Sequence, residues 1–402
     1  MPSKFFSALV FAFTFFIAVV FCRAQDVHWV GTWGNSPQLV EHRNLPPSPG
    51  LTSNTLRQVA QVSIGGKRLR LHFSNAFGTS PVTINSVHIA VSAGRSAIKP
   101  DTDRALMFQG KPSVTIPAGE SVVSDPFDFN LAPLSDVAVT IDFGGTSPAV
   151  TGHPGSRTTS YLEAGDEVSA PAMPKAARTV HWYILTGIDV EANDSSAAIV
   201  MLGDSITDGR GSGTDRNDRW PDDLARRLQA DKNLSDIAVL NAGIGGNCVV
   251  HGGLGPTALS RFNRDVLSQN GVRWLIVFEG VNDIGTSRDS DSATVATNII
   301  AAFEKFIDLA HARHIRVYGA TITPFGGSFY DSLAHEAARQ TVNHWIRNSG
   351  KFDAVIDFDA VMRDPRRPLH LLRTADSGDH LHPNERGYRM MADAINLKLF
   401  EN

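Results

Sequence analysis

Two hydrophobic rhythms divide this chain of 402 residues. From about residue 55 to 190, apolar and polar positions alternate. In TLRQVAQVSIGGKRLRLHFSNAF, Leu56, Ala60, Val62 and Ile64 share one face. Leu69, Leu71 and Phe73 then point inward while Arg68, Arg70 and His72 point outward. A period of two is the signature of a strand with one covered face. Gly65-Gly66, lying between the two runs, predicts a two-residue hairpin. The stretches 113–123 and 136–145 repeat the strand-and-turn style, and no helix of convincing length stands out. Short strands at close spacing, separated by Pro/Gly turns, predict a β-sandwich of jelly-roll type.

The polar stretch DVEANDSSAA (189–198) reads as a connection, and the rhythm changes after it. Near-continuous apolar strands are expected at 197–203, 237–243, 272–280, 315–323 and 354–358. Amphipathic helical stretches fall near 219–230, 257–269, 291–313, 332–349 and 385–400. Strands alternating with helices predict a parallel sheet covered by helices on both faces. The expected organisation is a β-sandwich over 26–192 and an α/β domain over 193–402. No solenoid repeat or low-complexity tract is visible, and the proline-rich stretch 40–51 reads as a surface loop.

Composition adds little to this picture. Apolar residues make up 42 % and charged residues 19 %, as in an ordinary folded protein. The net charge is −4, and no Lys/Arg block could track a phosphate backbone, so nucleic acid is not an expected partner. The first 25 residues differ. Lys4 precedes a long apolar stretch ending in CRAQ, which reads as a secretory signal over 1–24 cleaved after Ala24. An uncleaved anchor is the competing reading, because the stretch is near spanning length. With cleavage, the mature chain has no membrane span, is secreted or periplasmic, and keeps Cys248 as its one cysteine. That leaves no internal disulfide and no thiolate zinc site.

Chemistry gathers just past the strands. The first α/β strand ends at Gly203-Asp204-Ser205, the second in NAGIGGN (241–247) and the third in EGVNDIG (279–285). The fifth leads into DSGDHLHPNERGY (376–388). In a parallel sheet these carboxyl ends share one edge, where open α/β sheets bind ligands. A serine, a glycine-rich turn, an asparagine and an Asp/His pair would converge there, which are the parts of an acyl-transfer site. Ser205 is the expected nucleophile and His382 the base that takes its proton. Asp379, three residues before His382, would fix the imidazole tautomer. The backbone N–H groups of Ser205 and Gly246 and the side-chain amide of Asn282 are the expected oxyanion donors. Gly245 competes with Gly246, His380 with His382, and Asp376 with Asp379. Asp204 reads as a residue that holds its turn through local hydrogen bonds.

These segments resemble the four sequence blocks of the SGNH hydrolase superfamily, also called GDSL esterases and lipases. Gly203-Asp204-Ser205 matches the first block and Gly246 the second. Gly280-Val281-Asn282-Asp283 matches the third, and Asp379-His380-Leu381-His382-Pro383 the last. Ile206 stands where the family usually has leucine. The first half is similar in style to secreted bacterial members with a β-sandwich before the catalytic domain. The resemblance implies a three-layer α/β/α, flavodoxin-like hydrolase domain and a Ser-His-Asp triad. It implies a serine esterase acting through an acyl-enzyme, without metal or organic cofactor. The expected substrates are carboxylic esters of small molecules or polysaccharide, with short acyl groups such as acetyl on plant polysaccharide favoured. A lipase or lysophospholipase is an alternative. A carbohydrate-binding protein with a degenerate hydrolase domain is another, from a different class.

Other features carry less. HEAAR (335–339) lacks the second histidine of a helical zinc site, and no Gly-x-Ser-x-Gly elbow occurs. Trp29, Trp33 and Trp182 read as core or docking residues before sugar-stacking ones. Oligomeric state is not legible in the sequence.

Overall fold

The structure is a computed structural model that describes residue 1 and residues 27–401. Apart from Met1, the expected signal segment lies outside the described residues. The first half is all-β. Trp29–Gly34, Leu185–Glu191, Gly66–Ser74 and Phe127–Leu131 form one antiparallel sheet in that order, and Ser121–Val123 also pairs with Gly66–Ser74. The second sheet runs Ala177–Thr179, Ser160–Ala164, Asn54–Gln61, Asp136–Phe143, Val82–Gly94. Leu56, Ala60, Leu69, Leu71, Phe73, Val137, Val139 and Ile141 all enter one buried cluster, as the period-two pattern requires.

The expected hairpin at Gly65-Gly66 does not form. Asn54–Gln61 pairs in one sheet and Gly66–Ser74 in the other, so residues 62–65 cross between sheets. The crossing is held by Val62 N–H donating to Ser135 O (3.0 Å) and by Ser63 N–H and Oγ donating to Thr32 O (2.9 and 2.7 Å). A Cβ on Gly65 would stand 2.4 Å from Leu131 O, so this glycine allows a close backbone approach. The 113–123 stretch behaves alike. Val114–Ile116 pairs with Val82–Gly94, while Ser121–Val123 joins the opposite sheet. Alternation names the buried face of a strand but not its partner.

The connection between the halves is shorter than its polarity implies. Asp189, Val190 and Glu191 belong to the strand Leu185–Glu191, which leaves residues 192–196. Asp189 is buried because Arg70 (2.9 Å), His72 (2.7 Å) and Asn270 (2.8 Å) all bond its Oδ2.

In the second half, five parallel strands lie in the order Ile237–Gly243, Ala197–Gly203, Val272–Phe278, Arg316–Ala320, Ala354–Ile356. The inner strands Ala197–Gly203, Val272–Phe278 and Arg316–Ala320 are buried on two faces. Ala198, Val200, Leu202, Leu275 and Val277 face a cluster with Ile299, Phe303, Phe306 and Val342 of the helices Ser292–His311 and Leu333–Asn348. Ala197, Ile199, Met201, Trp274 and Ile276 face Leu224, Leu228, Tyr388 and Met391 of Trp220–Ala230 and Glu385–Ala394. This is a three-layer α/β/α sandwich. Ser332 and Asn384 start their helices by accepting from His335 N–H and Gly387 N–H, both at 3.0 Å. The third strand stops at Phe278, short of its expected end at 280, because Gly280 turns the chain at φ 110°, a conformation that favours glycine. The expected helix over 257–269 starts as Ala258–Phe262 and widens into a π-helix over Asn263–Leu267.

The halves are packed together. Val30 and Trp33 share a buried cluster with Ala238 and Leu240. A Cβ on Gly31 would stand 2.9 Å from Leu240 Cδ1, so the first strand lies directly on the edge strand of the parallel sheet. Val239 N–H donates to Ser63 Oγ (3.0 Å), which caps part of that edge. Among the described residues, no helix is long and apolar enough to cross a membrane.

Candidate active site

The strand order reverses beside Ala197–Gly203, whose neighbours Ile237–Gly243 and Val272–Phe278 lie on either side. The crevice at such a switch point is where doubly wound sheets hold ligands. Ser205 opens a four-residue helix, Ser205–Asp208, immediately past the first of these strands. Asp204 caps it, its Oδ1 accepting from Ile206 N–H (2.9 Å). As the first helical residue, Ser205 has an N–H without an intrahelical acceptor.

The Ser205 hydroxyl lies 2.8 Å from Nε2 of His382, and Nδ1 of His382 lies 2.7 Å from Oδ2 of Asp379. Ser205 is 5 % exposed and His382 2 % exposed. The other Asp379 oxygen accepts from the backbone N–H of His382 (2.9 Å) and Leu381 (3.1 Å). Partial burial works against this carboxylate, but the His382 hydrogen bonds and charge outweigh it and hold its pKa down to about 2. Burial lowers the His382 pKa, and Arg210 and Arg157 lower it further. Asp379 opposes them without cancelling the effect. The imidazole is therefore neutral above mildly acidic pH, with Nε2 free to accept a proton. His380 and Asp376, the competing residues, form their own pair at 2.6 Å, with the His380 side chain 53 % exposed.

Gly245, Gly246 and Asn282 line the cleft beside Ser205 and His382. Gly246 sits at φ 72°, and a Cβ there would stand 3.1 Å from the Leu254 side chain. Asn282 Nδ2 donates to Asn247 O (2.9 Å), and its Oδ1 accepts from the Tyr330 hydroxyl (2.9 Å). An amide nitrogen carries two protons, so one remains for a ligand.

Residues 201–390 match the sequence profile of the GDSL-like lipase/acylhydrolase family. This part of the chain belongs to that family. It is a carboxylic ester hydrolase domain of the SGNH superfamily. A comparison of the chain with curated proteins finds no match. Among solved structures, it is similar to a member of the lipolytic G-D-S-L family from Veillonella parvula at 22 % identity, over 50 % of this chain and 96 % of that one, with TM-score 0.37. A GDSL-like lipase from Bacteroides thetaiotaomicron aligns at 18 % identity over 52 % and 90 %, with TM-score 0.37. An acetylxylan esterase from Geobacillus stearothermophilus aligns at 19 % over 49 % and 91 %, with TM-score 0.39.

Arg261, Glu279 and Tyr330, which help build the GDSL-domain cleft, were not singled out from sequence. Arg261 is fully buried and spans the strand ends. Its nitrogens reach Gly203 O (3.0 Å), Ala242 O (2.7 Å), Asn247 Oδ1 (2.9 and 3.0 Å), Ser36 Oγ (3.0 Å), Asp265 (3.1 Å) and Glu279 (3.4 Å). Asp204, Glu279 and Asp283 crowd the same interior. Burial raises the pKa of all three, and repulsion from neighbouring carboxylates adds to it at Asp204 and Glu279; Asp283 reaches about 6. Asp283 accepts from Val249 N–H (2.8 Å) and Val250 N–H (3.1 Å), which shapes the loop after Gly246. Burial also pushes the Cys248 thiol up, so it stays protonated. Tyr330 lies beyond the fourth strand, and only the adjacent aromatics in GGSFYDSL hinted at it.

The cleft has a volume of about 310 Å³, and the β-half supplies much of its wall, including Gln38, Glu41, Arg43, Pro154, Arg157 and His181. His153 Nε2 lies 2.8 Å from Asp208 Oδ1 and joins the β-half to the helix that starts at Ser205; both residues are buried. Trp33 and Trp182 are buried edge to face at 4.9 Å, within the core and away from any sugar surface.

Two outcomes follow from this geometry. Arg261→Met takes the buried donor from Glu279, Asn247 Oδ1 and the carbonyls of Gly203 and Ala242, while Asp265 keeps Arg264, and loses about 3–5 kcal/mol in urea unfolding. A loss under about 1 kcal/mol, typical of a surface pair, would show that the network is dispensable. Proton-NMR titration of His382 gives a pKa below 6.5, and Asp379→Asn lowers it further; kcat/KM rises with pH through the same ionisation. A His382 pKa at or above 6.5 contradicts the electrostatic account.

Proposed function

We propose that this chain is a secreted serine esterase in which Ser205, His382 and Asp379 act as a catalytic triad. The supporting observation is the unbroken relay from the Ser205 hydroxyl through His382 to Asp379, at 2.8 and 2.7 Å. Ser205 Oγ attacks the ester carbonyl while His382 Nε2 takes its proton. The tetrahedral oxyanion receives hydrogen bonds from the N–H groups of Ser205 and Gly246 and from the free Asn282 amide proton. Each donor lowers the barrier by roughly 3 kcal/mol. Collapse expels the alcohol, which leaves with the proton from His382, and the acyl group stays on Ser205. Water, deprotonated by His382, then releases the acid and restores the serine.

In this reading residues 1–24 are a signal peptide, 26–192 a β-sandwich accessory domain and 193–402 the catalytic domain. Short acyl groups, such as acetyl on plant polysaccharide, are the proposed substrates. A cleft of about 310 Å³ walled by polar residues of both halves suits a short acyl group on a polar alcohol. A second reading, hydrolysis of long acyl chains, draws on Phe329 at the cleft, which is 70 % exposed.

Ser205→Ala should reduce turnover of 4-nitrophenyl acetate to background, a fall of about a millionfold, with the circular-dichroism spectrum preserved. Retained turnover contradicts the triad. Polysaccharide binding with no esterase activity in the wild type would favour the degenerate-hydrolase alternative instead. Across a series of 4-nitrophenyl esters, kcat/KM is expected to peak at short acyl chains. A maximum at long chains would replace that substrate class with lipid.

A further inference from the structure

The cleft is lined by three arginines, Arg43, Arg157 and Arg210, and two acids, Glu41 and Asp208, although the whole chain has a net charge of −4. Its two acids already have protein partners. Glu41 accepts from Gln38 Nε2 (2.8 Å) and Asn44 Nδ2 (2.9 Å), and Asp208 bonds His153 (2.8 Å). Its arginines do not. Arg43 and Arg157 pair with no carboxylate among the described residues, and Arg210 only approaches Asp379, at 4.0 Å.

Arg157 is the most constrained of the three. It lies on the loop between the strands Thr151–His153 and Ser160–Ala164, and that loop is tied to the hydrolase half at both ends. On one side His153 bonds Asp208, three residues after Ser205. On the other, Thr159 donates through N–H (2.6 Å) and Oγ1 (2.7 Å) to the Asp215 carboxylate. Asp215 N–H in turn donates to Arg157 O (2.9 Å). Arg157 itself takes φ 52°, a conformation uncommon outside glycine and asparagine. Its Nε is buried and has no partner among the described residues. Arg157 lines the same cleft as Ser205 and His382. It has no carboxylate partner there among the described residues, so its charge is available to an anion in the cleft. The planar fork fits a carboxylate.

We propose that Arg157 is a specificity residue that binds a carboxylate carried by the ester substrate, with Arg210 and Arg43 drawing the anion into the cleft. The proposal rests on the esterase reading above. The carboxylate has two possible places, the acyl part or the alcohol part, and each has a probe. For the acyl part, the full chain is assayed with mono-4-nitrophenyl succinate against the shorter neutral ester 4-nitrophenyl butyrate. For the alcohol part, 4-acetoxybenzoate is compared with 4-methylphenyl acetate. The ratio of kcat/KM, anionic over neutral, is measured in the wild type, in Arg157→Gln and in Arg157→Lys. Comparing enzymes cancels the intrinsic reactivity of the esters.

In one arm, Arg157→Gln is expected to lower the ratio by about ten- to hundredfold, mainly through KM. Arg157→Lys restores part of it, and added NaCl lowers the wild-type ratio. A residue that only braces the loop, or one that stabilises the oxyanion, would lower both members of each pair alike. A ratio unchanged in both arms, with neutral esters still hydrolysed, therefore overturns the role of Arg157 and leaves the esterase reading intact. If Arg157→Gln fails to fold, Arg157→Lys and the salt dependence of the wild-type ratio decide the matter. A wild type that hydrolyses none of the four esters removes the esterase reading and this proposal together.

Discussion

A guanidinium removed from water needs an acceptor for each of its N–H groups. Arg261 finds them on the ends of the first two parallel strands, on the residue that follows the third, on the Asn247 loop, and on Ser36 of the β-half. The arrangement has a single solution, because moving any of these segments strands a buried charge. Ser205 begins two residues past Gly203, and Asn282 three past Glu279. Asn247, held through its side chain by Arg261, in turn holds the Asn282 amide through its backbone carbonyl. The proposed nucleophile and oxyanion donors are thus positioned by one cation that would touch no substrate. The surrounding acids explain why the interior tolerates it. They outnumber the cation, and burial raises the pKa of Asp204 and Glu279.

The β-half is more than an appendage in this arrangement. Its first strand lies on the edge of the parallel sheet, and its 154–159 loop is tied to the helix and loop that follow Ser205. One wall of the cleft is therefore made by each half. A GDSL domain alone would present a more open site, and the side chains lent by the β-half are where substrate preference can be set without altering the residues around Ser205. Function carried by loops on a rigid scaffold is the general pattern.

Much of the secondary structure was legible because its causes are local. Period-two alternation located Gly66–Ser74 and Asp136–Phe143, and the strands Ala197–Gly203 and Ile237–Gly243 fall on their expected residues. The parallel order followed from the alternation of strands and helices. The hairpin at Gly65-Gly66 failed for the opposite reason. Two glycines permit a tight turn, but they permit a sheet crossing equally well, and the choice lay with Thr32 and Ser135, distant in sequence. Asp189 looked like part of a polar linker because its three partners, Arg70, His72 and Asn270, are also far along the chain.

The chain by itself determined which short segments supply the polar residues that meet past the strand ends. Gly203-Asp204-Ser205, Gly280 to Asp283 and Asp379 to His382 are contiguous motifs, and an Asp three residues before a His can meet it within one turn. It also determined the two halves, since hydrophobic period is a property of neighbouring residues. Only the folded structure decided that Asp379 rather than Asp376 faces His382, that Arg261 gathers the strand ends, and that Arg157 enters the cleft from the other half. Each of these is a contact between groups tens to hundreds of residues apart or a choice between near-identical neighbours. Local pattern has no term for such contacts. They are fixed when buried charges and unpaired donors must find partners in three dimensions.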